Sequence, residues 1–294
     1  MVKIERILCP TDFSDISAKA YDYATSLARH YSAKLFLEHV VQPVTAAYPY
    51  YAFPDAVNEM YWNLSEHAGE QLREMVKTHA WNGTHPEVVV QTGMVADSIL
   101  SFAAKQTVDL IVMGTHGRRG IDRLTMGSVT ERVLRKAQCP VLAVRNPLHD
   151  FVTVEKGKDP VQLRKIIFCT DFSEHSTRAL SYAFSLAMEY NADLTLLHVL
   201  DDIPGGAELR DATVKAVHEL EKPIPAEARN WCSIKTSVRV GKPYQEIVQL
   251  ALESQADLVV MGVRGRSPLD LALFGSTTQR VIQLGSCPVL VVHT

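Results

Sequence analysis

The stretch Val108–Arg145, VDLIVMGTHGRRGIDRLTMGSVTERVLRKAQCPVLAVR, sets the reading of the whole chain. It opens on an apolar run, Val108–Met113, closed by glycine, the pattern of a strand buried in a parallel sheet. A loop follows, with Gly114 and Gly117 three apart and nine residues separating Gly117 from the pair Gly127-Ser128. Val129, Val133 and Leu134 then have helical spacing, the helix stops before Cys139-Pro140, and a second apolar strand closes the stretch. The same order recurs at Ala256–His293, ADLVVMGVRGRSPLDLALFGSTTQRVIQLGSCPVLVVH, with Gly262, Gly265 and Gly275-Ser276 at identical spacing.

Physically, this pattern suits an anion. Glycine lets the backbone turn sharply and approach a ligand with no Cβ in the way. Successive loop amides can form a concave nest for negative charge. A Gly-Ser pair at a helix start adds free N–H donors, a hydroxyl and the positive end of the helix dipole. The competing reading is that the glycines only serve turns and the serine only caps a helix. Repetition of both spacings favours the ligand, because turning a chain does not require the same two intervals twice.

The repeat extends beyond these stretches. ILCPTDFS at Ile7–Ser14 answers IIFCTDFS at Ile166–Ser173, and His39-Val40 answers His198-Val199, each 159 residues apart. From Gly93 and Gly241 onward the offset is 148, so the first copy carries 11 extra residues between Val40 and Gly93. Such a period is a duplicated domain, not a solenoid unit. The expected division is 1–146 for the first domain, 147–162 for a polar, proline-punctuated linker, and 163–294 for the second. A chain of 294 residues suits two domains of ordinary size.

Within each copy strands alternate with helices. The first copy reads as strand Lys3–Pro10, a helix from Ser14, strand Lys34–Val41, helix Ala56–Ala80, strand Glu87–Gln91, helix Val95–Gln106, then the opening stretch. The second has Arg164–Cys169, a helix from Ser173, strand Asp193–Leu200, helix Glu208–Asn230, strand Ile234–Val240 and helix Tyr244–Ser254. The stripe Ala20, Tyr23, Ala24, Leu27, Tyr31 and its counterpart read as core. Alternating units imply an α/β fold with a parallel sheet covered on both faces. The flavodoxin-like order 3-2-1-4-5 fits five strands, and ligands in such sheets lie past the carboxyl ends where the order reverses. Asp12, after strand one, and Gly114, ending strand four, are therefore expected to flank one crevice. Each terminal strand would be an open edge in an isolated domain, so the two domains are expected to pair through them.

A nucleotide is the economical ligand. Asp12 and Asp171 can accept from an amine or a ribose hydroxyl, or can serve the helix start two residues on. Arg118 and Arg266 correspond and can meet phosphate oxygens, or stand as solvated loop charges. His116 corresponds to Arg264, so only cationic character is shared. No GxxxxGK[ST] loop, no glycine in the turn after strand one and no GxSxG elbow occur, which excludes a P-loop enzyme, a dinucleotide fingerprint and a nucleophile-elbow hydrolase. Net charge is -3 with no basic run, so neither nucleic acid nor an anionic membrane is a bulk electrostatic partner. MVKIERILCP reads as a charged strand and not a signal peptide, no apolar run reaches transmembrane length, and five cysteines without framework spacing point to a reducing cytoplasm.

The G-x2-G-x9-G-[ST] loop after a VMG strand, with TDFS after strand one, resembles the universal stress protein family, in its tandem-domain form, over essentially the whole chain outside the linker. The resemblance implies a cytoplasmic, ATP-binding regulatory protein of the stress response. It carries Asp12 and Asp171 to the adenine or ribose side, and the Val40 and Val199 backbone to adenine. It places Met113 and Gly114, with Met261 and Gly262, along the nucleoside. Phosphates fall to Gly117, Arg118, Gly127, Ser128 and Val129, and in the second copy to Gly265, Arg266, Gly275, Ser276 and Thr277. A divalent ion such as Mg2+ would bridge the phosphates, with no protein carboxylate clearly placed for it. Three readings follow: a nucleotide-dependent switch without catalysis, a slow ATPase or phosphotransferase, and an interaction scaffold without ligand. Homodimerisation and unidentified protein partners are further expectations. Two departures stand out: Ser267-Pro268 replaces Arg119-Gly120, which removes a donor in the second loop, and the aromatic segment 48–62 belongs to the first copy's insertion as a lid, a partner surface or a packing loop.

Overall fold

The computed structural model describes residues 2–43, 54–78, 85–116, 126–152, 161–201, 205–225, 228, 232–263 and 275–293. In the first half, β1 (Arg6–Pro10), α1 (Asp15–Tyr31), β2 (Lys34–Val41), α2 (Pro54–Thr78) and β3 (Glu87–Thr92) lead to α3 (Val95–Lys105), β4 (Leu110–Gly114), α4 (Ser128–Lys136) and β5 (Val141–Val144). The second half repeats this with β6 (Lys165–Cys169), α5 (Glu174–Tyr190), β7 (Asp193–Leu200), α6 (Ala207–Glu221) and β8 (Ile234–Val240). It closes with α7 (Pro243–Ser254), β9 (Leu258–Gly262), α8 (Ser276–Leu284) and β10 (Val289–Val292).

All ten strands form one sheet in the order β3-β2-β1-β4-β5-β10-β9-β6-β7-β8. Each half is parallel with its own 3-2-1-4-5 order. The halves join where β5 and β10 run antiparallel, with Leu142 opposite Leu290. This junction converts two exposed sheet edges into an interior ladder. One apolar layer under α1 and α5 includes Tyr23, Leu142, Phe168 and Leu290. The opposite layer, under α3 and α4, includes Leu8, Val141, Met113 and Val289. Both layers run unbroken across the junction. Burial is nearly complete along β4, β5, β9 and β10, matching their continuous apolar sequence.

The core stripe of α1 is as expected: Ala20, Tyr23 and Ala24 are fully buried. One helix differs from its sequence reading. α6 ends at Glu221, well short of Asn230. Pro223 and Pro225 follow immediately, and proline both lacks the amide and disfavours helical geometry in the residue before it. The five thiols are unpaired by disulfides, with Cys9, Cys169, Cys232 and Cys287 buried. Among the described residues no helix is long and apolar enough to cross a membrane.

Candidate nucleotide cleft

The site begins at the end of β1. Thr11, Asp12, Phe13 and Ser14 form a tight turn in which Phe13 takes a left-handed backbone, φ 62°. A non-glycine residue there needs local support. Thr11 Oγ1 accepts from the Phe13 amide at 3.0 Å and bonds Ser17 Oγ at 2.9 Å. His39 Nδ1 meets the Thr11 carbonyl at 2.8 Å, and its ring packs on Phe13 at 4.6 Å between centroids. Asp12 Oδ1 accepts from the Ser14 amide at 3.1 Å and the Ser14 hydroxyl at 2.6 Å. Ser14 is the N-cap, accepting from the Ser17 amide. Asp12 therefore orients the capping serine and does not itself cap α1.

Across the sheet reversal, β4 ends at Gly114, directly beside β1. Thr115 donates to the Val144 carbonyl at 2.9 Å, and Gly127 donates back to the Thr115 carbonyl at 2.9 Å, so the glycine-rich loop is pinned at both ends of its base. Thr130 Oγ1 donates to the Gly114 carbonyl at 2.9 Å and docks the first turn of α4 on the strand end. Gly127 is the N-cap of α4 and makes no side-chain cap bond, with Ser128 the first helical residue. The serine does not cap this helix. Its hydroxyl and the first-turn amides, which have no intrahelical acceptor, stand together at the positive end of the dipole.

The two glycines differ. A Cβ on Gly114 would lie 2.8 Å from Ile16 Cγ2 and 3.2 Å from the Ile16 backbone, so this glycine admits α1. A Cβ on Gly127 would meet nothing closer than 3.4 Å, and its φ of -64° suits any residue. Neither turn geometry nor packing among the described residues calls for glycine at 127.

A cleft of about 850 Å³ opens between these elements. Asp12, Val40, Met113, Gly114, Gly127, Ser128 and Val129 all line it. Gly117 and Arg118 lie outside the described residues, as do Gly265, Arg266 and the Ser267-Pro268 departure. Sequence reasoning missed one wall: Leu64, His67, Ala68 and Gln71 of α2 face the same space. It also missed Glu38, whose side chain is fully buried at the cleft. Burial pushes the Glu38 carboxyl up to about 7. The repeat held a signal for it, since Leu197 stands at the matching position of β7. Residues 44–53 of the aromatic insertion are outside the described residues, while its Trp62 lies exposed on α2.

The second half repeats the turn. Asp171 Oδ1 accepts from the Ser173 amide at 3.1 Å and hydroxyl at 2.6 Å, Phe172 is left-handed at φ 62°, and His198 Nδ1 meets the Thr170 carbonyl at 2.8 Å. Met261 and Gly262 end β9 beside β6, and Val199 lies near the end of β7. Gly275 is the N-cap of α8, with Ser276 and Thr277 in its first turn. Thr278 Oγ1 donates to the Gly262 carbonyl at 3.2 Å, as Thr130 does to Gly114. The helix arginines serve locally: Arg132 pairs with Asp97 at 2.8 Å and Arg280 stacks over Tyr244.

The universal stress protein family profile matches residues 3–145 and 162–293, one match in each half. The chain belongs to the universal stress protein family. A universal stress protein of Mycolicibacterium smegmatis is 29% identical over 295 residues, covering 98% of this chain and 96% of that one. One from Methanocaldococcus jannaschii is 34% identical over 148 residues, covering 49% of this chain and 83% of that protein. The crystal structure of a universal stress protein from Archaeoglobus fulgidus superposes with a TM-score of 0.66 at 22% identity, covering 98% of both chains, a likeness of fold.

Proposed function

We propose that this tandem universal stress protein binds adenine nucleotide, ATP foremost, and acts as a ligand-dependent regulatory switch of the stress response. One observation carries the reading: Asp12 and the Gly127-Ser128 helix start, far apart in sequence, line one cleft of about 850 Å³. That volume lies within the usual range of small-molecule sites. In this reading Asp12 and the Val40 backbone take the nucleoside side, Met113 and Gly114 flank it, and the amides of Gly127, Ser128 and Val129 take phosphates. Gly117 and Arg118 complete the phosphate end. Asp171, Val199, Met261, Gly262, Gly265, Arg266, Gly275, Ser276 and Thr277 play the same parts in the second repeat. The repeats span 1–146 and 163–294, joined by 147–162, and the protein acts in the cytoplasm. Among the described residues no group of three His, Cys, Asp or Glu is placed to hold a metal ion, so Mg2+ would enter with the phosphates, held mainly by their oxygens and by water.

The test is native mass spectrometry of gently purified protein, followed by thermal unfolding with added ATP. A ligand at a hundred times its Kd stabilises by about 2.7 kcal/mol. Co-purified adenine nucleotide, or a saturable rise in Tm with ATP, is expected. Protein that leaves the column empty and unfolds at the same temperature with and without millimolar ATP would sink the reading.

A further inference from the structure

Glu38 is unexpected in its place. It lies mid-strand in LFLEHVV, with no solvent exposure, beside Val40 on the same face of β2. Its Oε1 accepts from Gln91 Nε2 at 2.7 Å. Its Oε2 is buried and has no hydrogen-bond partner among the described residues. A buried polar atom left unpaired is costly, and such an orphan calls for a reason. The second repeat has abandoned the pair: Leu197 stands for Glu38, and Arg239 stands for Gln91 and turns to Glu246 and Glu253. The fold therefore does not need an acid here. In the first repeat the position adjoins the cleft, whose wall includes Glu38, Val95 and Ile99.

We propose that Glu38 is a specificity-determining residue of the first cleft, whose Oε2 takes a hydrogen bond from an amino group on the base of the bound nucleotide, a contact Leu197 denies to the second. The proposal rests on the nucleotide reading above and names the side chain that reads the amine of its base. Val40 is the neighbouring residue on the same strand face, so a base set against Val40 has its edge toward Glu38. An amine donating to a carboxylate makes a charge-assisted bond, the stronger kind. Because burial keeps the acid protonated into the neutral range, the amine also favours release of its proton. Affinity for the amine-bearing ligand then rises with pH up to about 7. Among the described residues the other titratable groups around the cleft are Asp12 from the β1 turn, His39 on β2, His67 on α2 and His116 after β4. The Glu38 contribution is read as the difference between wild type and variant, which removes what these other groups add.

The experiment is a double cycle on the full chain by isothermal titration. Wild type and Glu38→Leu are each titrated with ATP and with the triphosphate of purine riboside, which lacks only the 6-amino group. Removing the amine is expected to cost the wild-type Glu38-dependent site about tenfold in affinity, the scale of one hydrogen bond, and to cost Glu38→Leu less than twofold. Glu38→Gln keeps an acceptor, so it should keep the discrimination while losing the rise with pH. It also serves if the leucine variant unfolds. Equal losses in wild type and both variants would overturn the proposal while leaving nucleotide binding intact. Absence of any ATP binding by the wild type would overturn the nucleotide reading and this inference with it.

Discussion

Arg145 and His293 occupy matching places after the last strand of each repeat, and each reaches across to the other half's terminal helix. The Arg145 guanidinium donates to the Gln283 carbonyl in the last turn of α8. The His293 ring meets the Leu134 carbonyl in α4 at 2.7 Å. The adjoining backbone is tied to the loops, since Val144 accepts from Thr115 and Val292 from Val263. Each terminal strand thus fastens its own glycine loop through the main chain and the opposite helix through a side chain. The carbonyls at a helix C-terminus carry partial negative charge, which favours a cation there.

From this, Arg145→Ala should lower the free energy of unfolding by about 1–2 kcal/mol, the scale of a charge-assisted bond. Arg145→Lys should recover part of the loss, because it keeps the charge without the planar fork. Urea denaturation checks both. A lysine variant no better than the alanine one would mean that charge at this helix end contributes nothing.

The same junction carries a pair that two identical copies would lack. His30 and Glu189 occupy equivalent positions, one in each repeat, and meet at 3.0 Å. Tyr31 donates to the other Glu189 oxygen at 3.0 Å, and the Tyr190 hydroxyl meets the Tyr31 hydroxyl at 3.3 Å. Glu189→Ala strips two donors of their acceptor in a half-buried place and is expected to cost about 1–3 kcal/mol. Glu189→His, which makes both copies alike, should fare no better, since it puts two rings where one carboxylate served two donors. Thermal unfolding of the two variants against wild type decides it; a histidine variant as stable as wild type would argue against complementarity at this contact.

Glu38 gives the protein a stability dependence on pH that can be read without ligand. Its pKa rises from the ordinary carboxylate range to about 7 on burial. The folded state therefore holds this proton more tightly than the unfolded state. Its contribution to stability falls as pH rises through that window, and the full penalty stands above 7. Glu38→Gln is exempt. Its stability advantage over wild type should widen by about 2 kcal/mol between pH 5 and pH 8. A constant difference across that range, measured by urea denaturation at each pH, would mean that the acid is solvated in the native protein.

Much of this architecture was written in local sequence, and the reasons are specific. The strand order follows from alternating elements and the reversal between β1 and β4, and the apolar runs around Met113 and Met261 leave no doubt about buried strands. Asp12 could be placed beside the glycine loop because Asp12 follows β1 and Gly114 ends β4, the neighbouring strand. The α2 wall was not legible: its helical period marks a buried face, but whether His67 and Gln71 overlook core or cleft depends on where β2 and β3 end. The packing role of Gly114 was not legible, because its neighbour Ile16 is close only in three dimensions. Glu38 was overlooked for a simpler reason. It follows the apolar run Leu35–Leu37, and comparison with Leu197 would have exposed it.

The two glycines of the first cleft should separate fold from ligand. At Gly114 an added Cβ would come within 2.8 Å of Ile16 Cγ2 and 3.2 Å of its backbone. Gly114→Ala must push α1 off the end of β4, at an expected cost of about 1–3 kcal/mol, and any loss of binding there is inseparable from that strain. At Gly127 the nearest atom would be the Thr115 carbonyl oxygen at 3.4 Å, an ordinary contact. Gly127→Ala changes only an N-cap that uses no side chain, so its stability cost should stay within about 1 kcal/mol. If the first turn of α4 holds phosphate, the methyl group stands where the ligand approaches, and the rise in Tm with ATP should shrink well beyond what that small cost explains. A Gly127→Ala protein that keeps both its stability and its full response to ATP would place the phosphates elsewhere.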